Sequence, residues 1–239
     1  MVDIGKTLHD NSTLGFCDRA LELHESLKPK RDYLGMSQIG EECLRKLWLD
    51  MNTPRPRMEA RILRLFDMGN LIENRVIRHL KAAGFHVVCE QSEFRGFDGR
   101  FRGHCDGIIF GIPESSRSHV LEIKTANDKN FAEFKKNGIA NHPIYGPKYS
   151  AQMQCYMGYS GIDRGLWIVE NKNTSEQIME RINFNRGEFE ILKAKAHRII
   201  TAQYPPEGIS LDTTSWKCRF CDYKANGECL KRWPGEPAF

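Results

Sequence analysis

A chain of 239 residues with a net charge of +4, from 35 basic and 31 acidic side chains, has the length for one sizeable core with an appendage. Its 40% hydrophobic and 28% charged content excludes a fibrous, disordered or membrane-spanning protein and fits a soluble globular one. No apolar run reaches the length of a membrane span and no signal-peptide segment opens the sequence, so a cytoplasmic protein with no membrane partner is expected; the mild positive charge permits a polyanionic partner where it is clustered.

Leu14–Leu27 reads as a first helix, capped by Asn11, Ser12 or Thr13. Ser37 is placed to open a second, with Ile39, Cys43, Leu47 and Met51 at three-to-four spacing. On that stripe Cys43 reads as a small buried hydrophobe. Thr53–Arg57 is a proline-broken linker whose Arg55 and Arg57 join Arg61 and Arg64 in a basic cluster, suited to a DNA backbone or to plain solvation. Glu59–Ala83 has the strongest helical period, with Ile62, Phe66, Gly69, Val76 and Leu80 on one face. At 100° per residue Glu73 falls within about 20° of Ile62 and Leu80, which puts a carboxylate inside an apolar stripe and points it at something cationic. Gly69, one turn earlier, would allow a neighbour to approach closely.

Phe85–Phe94 reads as a strand, Gly96–Gly99 as a turn, and Arg100–Phe110 and His119–Thr125 as two further strands joined through Gly111, Pro113, Ser115 and Ser116. Asp106 opens the apolar run Ile108–Phe110, while Glu122 and Lys124, two apart, leave the same face of their strand. A strand interior is a costly place for three charges unless they meet one another or an ion. Two carboxylates beside a lysine suit a hard divalent cation, with the lysine holding an attacking water, which in outline is a phosphodiesterase site. Glu73 is the third acidic ligand, delivered from its helix. His104 shares a face with Asp106, in reach of the metal, its water or a phosphate.

Phe131–Asn137 is short, aromatic and basic, and Asn141–Pro147 is a turn-rich loop. Lys148–Tyr159 reads as a helix whose Gln152 and Tyr156, four apart, offer an amide and a phenol to a phosphate or a base edge. Strands at Gly165–Glu170 and Glu176–Asn183 and an amphipathic helix at Gly187–Ala202 complete the core.

The order helix, three strands, helix, strand, with Gly69-x-x-x-Glu73, Gly103-His104-x-Asp106, Glu122-Ile123-Lys124 and Gln152-x-x-x-Tyr156 in sequence, resembles the PD-(D/E)XK nuclease superfamily. The likeness covers residues about 37–185 and is to the RecB-type branch that includes CRISPR-associated and phage-encoded exonucleases. Many CRISPR-associated members carry histidine where Glu73 stands, and many phage exonucleases carry glutamate. The resemblance implies that Asp106, Glu122 and the Ile123 carbonyl bind magnesium or manganese, that Lys124 is the catalytic lysine, and that Glu73 completes the site. Gln152, Tyr156, His104, Arg61 and Arg64 would position the DNA.

Pro205 and Pro206 end the last helix, and Cys218-x-x-Cys221 with Cys229 beyond it has the spacing of a metal-binding loop. Three thiolates leave a tetrahedral site short of one ligand. Cys43 is the natural fourth, with His24 and His197 as alternatives. In the iron–sulfur members of the resembling branch, one cysteine precedes the nuclease core and three follow, and Ser37–Leu47 is similar to their first-cysteine segment. The resemblance thus implies a 4Fe–4S cluster on Cys43, Cys218, Cys221 and Cys229, with zinc as the alternative. The seven residues between Cys221 and Cys229 exceed the family's usual gap. The other four cysteines read as structural.

The expected protein is α/β. Residues 1–58 form a helical region contributing Cys43, 59–203 a restriction-endonuclease-like core with a central mixed sheet flanked by helices, and 204–239 a cysteine-rich cap tied to the N-terminal helix. The resemblance implies a metal-dependent exonuclease acting on linear or single-stranded DNA in recombination, repair or phage DNA processing, with a recombination or helicase protein as a further partner. A phage-encoded enzyme at work in the host cytoplasm fits the same likeness. The alternative is a non-catalytic or partner-dependent DNA-binding subunit of a recombination or spacer-acquisition complex.

Overall fold

The computed structural model describes residues 11–54, 56–210, 215–219 and 221–233; Arg55, one of the basic cluster, lies outside them. Helix α1 (Thr13–Ser26) starts at Ser12, whose hydroxyl accepts the Gly15 N–H at 3.1 Å. Strand β1 (Leu34–Gly35) and a 3₁₀ turn (Met36–Gln38) precede α2 (Leu44–Asn52) and α3 (Ala60–Ala82). Four strands follow, β2 (His86–Val88), β3 (Ser92–Gly96), β4 (Phe101–Cys105) and β5 (Gly107–Phe110), and then β6 (His119–Ala126). After α4 (Asp128–Asn137) and α5 (Gly146–Ser160) come β7 (Arg164–Asn171), β8 (Gln177–Asn183) and α6 (Arg186–Thr201). The tail carries α7 (Asp222–Ala225) between two 3₁₀ turns, Trp216–Cys218 and Glu228–Leu230.

The strands form a five-stranded sheet in the order β2-β5-β6-β7-β8 and a three-stranded sheet in the order β1-β4-β3. Within the larger sheet only β6 and β7 are parallel, and a parallel pair needs a crossover, which α4 and α5 supply. Alternation along β6 then builds a core on each face. Leu121 and Ile123 join Leu166 and Ile168 of β7 beneath Ile72, Val76 and Ile77 of α3. On the other face Val120, Trp167 and Val169 pack with Met153 and Tyr156 of α5, Ile199 of α6 and Phe101 of the small sheet. Each such fully buried side chain contributes about 1.5–3 kcal/mol of transfer free energy.

Four features depart from the sequence reading. Ser37 does not open a helix. The chain turns at Met36–Gln38, and Gly40 lies so close to α5 that a Cβ there would stand 2.5 Å from the Lys148 Cα. Helix α2 begins only at Leu44, with Cys43 as its N-cap, so Cys43 is half-buried at a helix end rather than on an apolar stripe. Phe85–Phe94 is two strands in two sheets, parted by a turn in which Cys89 and Gln91 both have φ of +53°. Arg100–Phe110 is likewise two strands, broken at Asp106.

The fourth departure is the face of α3. Its C-terminal half buries Ile72, Val76 and Ile77 on the sheet, whereas its N-terminal half overhangs the sheet edge and buries Ala60 and Leu63. Phe66, expected in the stripe, is 56% exposed. Among the described residues nothing stands within 4 Å of a Cβ added at Gly69, so that glycine serves no close approach to them. Helix α1 lies along the overhang through charge: Asp18 pairs with Arg64, Glu22 pairs with Arg57 at 2.5 Å, and Glu22 also accepts the Ala60 N–H at 3.0 Å. Two of the clustered arginines are thereby neutralised.

The tail docks on α2. Arg45 Nε donates to the Cys229 carbonyl at 2.7 Å, Tyr223 donates to Asp50 at 2.9 Å, and Trp48 meets Trp233 edge-on at 5.0 Å. Among the described residues no helix is long and apolar enough to cross a membrane.

Candidate active site

Strand β5 starts at Gly107, whose register partner on β6 is Leu121. Beyond that point β6 runs on with no strand on this side among the described residues, and the Ile123 N–H is taken by the Asp106 carboxylate, Oδ2, at 2.6 Å. The Asp106 N–H donates to the Leu121 carbonyl at 3.2 Å, so the break between β4 and β5 fixes Asp106 against β6 at both backbone and side chain. The resulting notch lets α3, on one face of the sheet, bring Glu73 near Asp106 and the charges of the other face.

Those charges are Glu122 and Lys124. Glu122 is 2% exposed, and its Oε1 accepts from Lys124 Nζ at 2.5 Å and from Gln152 Nε2 at 2.5 Å. Gln152 Nε2 also lies 2.9 Å from the Tyr156 hydroxyl. Both side chains of that motif are buried, at 4% and 2% exposure, so they brace Glu122 from behind; the sequence reading had placed them on the DNA strand. Gly103 allows this packing, since a Cβ there would lie 2.6 Å from the Tyr156 ring.

The electrostatics are those of an acid cluster with too little positive charge. Burial, then the Asp106 charge, push the Glu122 carboxyl up to about 8, and the same causes push Glu73 up to about 7. Burial also raises Asp106, against the pull of Lys124. Burial works against the Lys124 ammonium, but Glu122 and Asp106 outweigh it and hold the lysine well above its ordinary value.

Would a divalent cation fit? Glu122 Oε2 is buried with no hydrogen-bond partner among the described residues, an arrangement that costs about 1–3 kcal/mol if left so. The nearby donors are carboxylate oxygens, the set that magnesium and manganese take. The cation therefore fits, on the orphaned oxygen and on the donor chemistry. Among the described residues no three His, Cys, Asp or Glu side chains stand in a finished cage, and the protein's own donors sit on Glu122 Oε1, Asp106 Oδ2 and Glu73.

The remaining expected residues are spread out. His104 is on β4, 3.8 Å from Glu93, and turns to the small sheet rather than to Asp106. Arg61 is exposed, and Arg64 is committed to Asp18. Cys229 is close enough to Cys221, Cys43 and Cys218 for their charges to add to the burial that raises its thiol, while Arg45 opposes. These four thiols do not form a metal cage among the described residues. His197 packs on Phe97 at 5.5 Å, and His24 lies in the last turn of α1. Of the other cysteines, Cys105 and Cys155 are buried as expected, but Cys17 and Cys89 are exposed.

Two residues near the site were not singled out in the sequence. Gln91 donates to Glu73 Oε1 at 2.5 Å, and its position depends on left-handed backbone that no glycine announces. Tyr149 lies one turn before Gln152 on α5, its ring 5.3 Å from Lys124 Nζ; the three-residue spacing to Gln152 could have revealed it.

A mixed sheet with carboxylates and a lysine gathered where one strand stops short suits a nuclease. The chain belongs to the PD-(D/E)XK nuclease superfamily, whose profile matches residues 14–226. Its fold is similar to that of an alkaline exonuclease, LHK-Exo from Laribacter hongkongensis, with a TM-score of 0.54 at 17% identity over 74% of this chain and 90% of that one. The same exonuclease in complex with dAMP gives 0.51 at 16% identity over 72% and 87%. SSO0001 gives 0.50 at 17% identity over 87% and 91%. No curated protein sequence matches the chain.

Proposed function

We propose that the protein is a magnesium- or manganese-dependent DNA exonuclease that acts on ends of linear or single-stranded DNA, in recombination, repair or phage DNA processing. The observation that carries this reading is the buried, unpartnered Oε2 of Glu122 beside Lys124, with Asp106 and Glu73 at hand. Similarity in fold to an alkaline exonuclease, and to its complex with dAMP, supports the substrate class.

Asp106, Glu122 and Glu73, with the Ile123 carbonyl, would hold the cation. When bound, such an ion lowers the pKa of a coordinated water and offsets charge developing on phosphate. Lys124, kept charged by Glu122 and Asp106, holds the attacking water by its ammonium hydrogens. Gln152 and Tyr156 keep Glu122 from turning away. Arg61 and His104, both exposed, would contact the DNA backbone. Cys43, Cys218, Cys221 and Cys229 are assigned to a 4Fe–4S cluster, with zinc as the alternative occupant, an assignment supported by the docking of the tail on α2 and by the nearness of Cys43, Cys218 and Cys221 to the Cys229 thiol.

The test uses end-labelled linear and circular DNA with magnesium, manganese or EDTA, and the wild-type protein beside its Asp106→Ala variant. Metal-dependent loss of the linear form alone, absent from the variant, is the expected result. Binding without cleavage would favour the DNA-binding subunit, and cleavage only in cell extract a partner-dependent one.

A further inference from the structure

The turn between β2 and β3 sets a side chain into the acid cluster at a conformational cost. Cys89 and Gln91 both have φ of +53°, in the left-handed region that side chains with a Cβ avoid. Such residues persist where their surroundings hold them, and they concentrate where a side chain must be aimed. What this turn aims is the Gln91 carboxamide. Its Nε2 donates to Glu73 Oε1 at 2.5 Å and lies 3.4 Å from Asp106 Oδ1. Among the described residues it is the side chain that spans those two carboxylates.

Glu73 needs holding. It comes from α3 and Asp106 from the β4–β5 break, so no shared backbone keeps them together. Two negative groups repel, and Glu73 is half-buried at the root of the overhang, with no described residue within 4 Å of a Cβ at Gly69 one turn earlier. Left alone, its side chain has both a reason and room to swing away.

We propose that Gln91 is a positioning residue of the cation site: its carboxamide holds Glu73 beside Asp106, so that the helix carboxylate is in place when the ion arrives. The proposal rests on the nuclease reading and adds to it a residue from outside the four family motifs. Loss of a group that orients a metal ligand costs about 10–100-fold in metal affinity. Gln91→Met keeps the length of the side chain and removes the donor.

Calorimetric titration of the full-length protein with manganese tests this. Wild type binds, Gln91→Met binds at least tenfold more weakly, and Glu73→Gln loses a similar factor. Combining the two changes adds little to either, because both remove the same carboxylate from the site. Gln91→Gly loses the same affinity yet melts higher in EDTA than Gln91→Met, since glycine relaxes the turn. A merely structural glutamine would leave manganese affinity untouched. Equal affinity of Gln91→Met and wild type, or fully additive losses in the double variant, overturns the assignment to Gln91 alone. Absence of manganese binding by wild type overturns the cation site itself, and the role of Gln91 with it.

Discussion

Asp106 takes the place of a missing strand: its Oδ2 accepts the Ile123 N–H at 2.6 Å where β5 has ended. One side chain thus closes the sheet edge and supplies an acid to the cluster. The two roles separate by substitution. Asp106→Asn keeps an oxygen for the Ile123 N–H but removes the charge, so metal-dependent DNA hydrolysis should fall by roughly 10²–10³ with little change in melting temperature. Asp106→Ala removes both and strands a backbone donor, which costs about 1–3 kcal/mol. It should lose activity and melt lower. Equal melting of the two variants would show that the side chain does not serve the sheet.

Lys124 and Glu122 form a pair that neither can leave cheaply. Above about pH 8, where Glu122 is ionised, taking one partner from this buried ion pair costs about 3–5 kcal/mol, because the other charge stays buried alone. Lys124 is 22% exposed on its side chain, so the lower end applies to Lys124→Met. The variant should be inactive; in EDTA it should melt well below wild type above about pH 8, and by less at neutral pH, where Glu122 holds a proton. Saturating manganese, by supplying positive charge to Glu122, should recover part of that loss but no activity. Retention of metal-dependent cleavage by Lys124→Met would remove the lysine from the chemistry.

The raised carboxyls give stability a definite pH dependence. Glu73 at about 7 and Glu122 at about 8 both lie above the ordinary 4.5. Between those limits the native protein holds protons that the unfolded chain has released, so the slope of unfolding free energy with pH is negative. Below about 6.5 the buried His119 and His142, whose imidazoles burial holds below their ordinary value, give an opposite slope. In EDTA the melting temperature should therefore fall as pH rises from about 6.5 to 8. Magnesium or manganese, exchanging with those protons, should oppose the fall and bind more tightly at high pH. Glu122→Gln should flatten the profile. A melting temperature that climbs over this range in EDTA would contradict the placement of these groups.

The sequence shows more of this site than of the frame around it, for physical reasons. Glu122 and Lys124 were legible as a pair because a strand repeats every two residues, and Gln152 and Tyr156 because a helix repeats near four. Their partners were less so. Gln152 and Tyr156 look like ligands for DNA until burial shows them behind Glu122. The break at Cys89–Gln91 was hidden because its left-handed residues are not glycines, and the break at Asp106 because Asp106-Gly107, a turn signal, lies between two stretches that each read as strand. The period of α3 was read as one stripe. The helix serves two surfaces in turn, the α1 side and then the sheet, so its exposed middle was placed in the core.

The cysteine tail has its own test. Protein purified without oxygen should be brown, with iron and sulfide in equal amounts. Cys221→Ser should lose both and melt lower, since the tail is joined to α2 through Arg45, Tyr223 and Trp48. Cys17→Ser, on the exposed surface of α1, should keep the colour. A colourless protein with one equivalent of zinc would give the thiols to zinc instead.

Phe66 makes the last prediction, on how DNA meets the site. It stands on α3 two turns before Glu73, within about 20° of it around the helix and roughly 10 Å along the axis. Between them Gly69 adds no side chain and has no described residue within 4 Å of a Cβ, while Phe66 itself is 56% exposed. On the proposed function, an exposed ring about 10 Å along the helix from Glu73 would offer a stacking surface to an unstacked base at a DNA end. Stacking of this kind contributes about 1–3 kcal/mol per base. Phe66→Ala should weaken binding of single-stranded DNA by roughly tenfold, measured by fluorescence anisotropy in EDTA. Phe66→Trp should restore it, and neither change should alter manganese affinity. Unchanged DNA binding by Phe66→Ala would leave that ring without a part in substrate recognition.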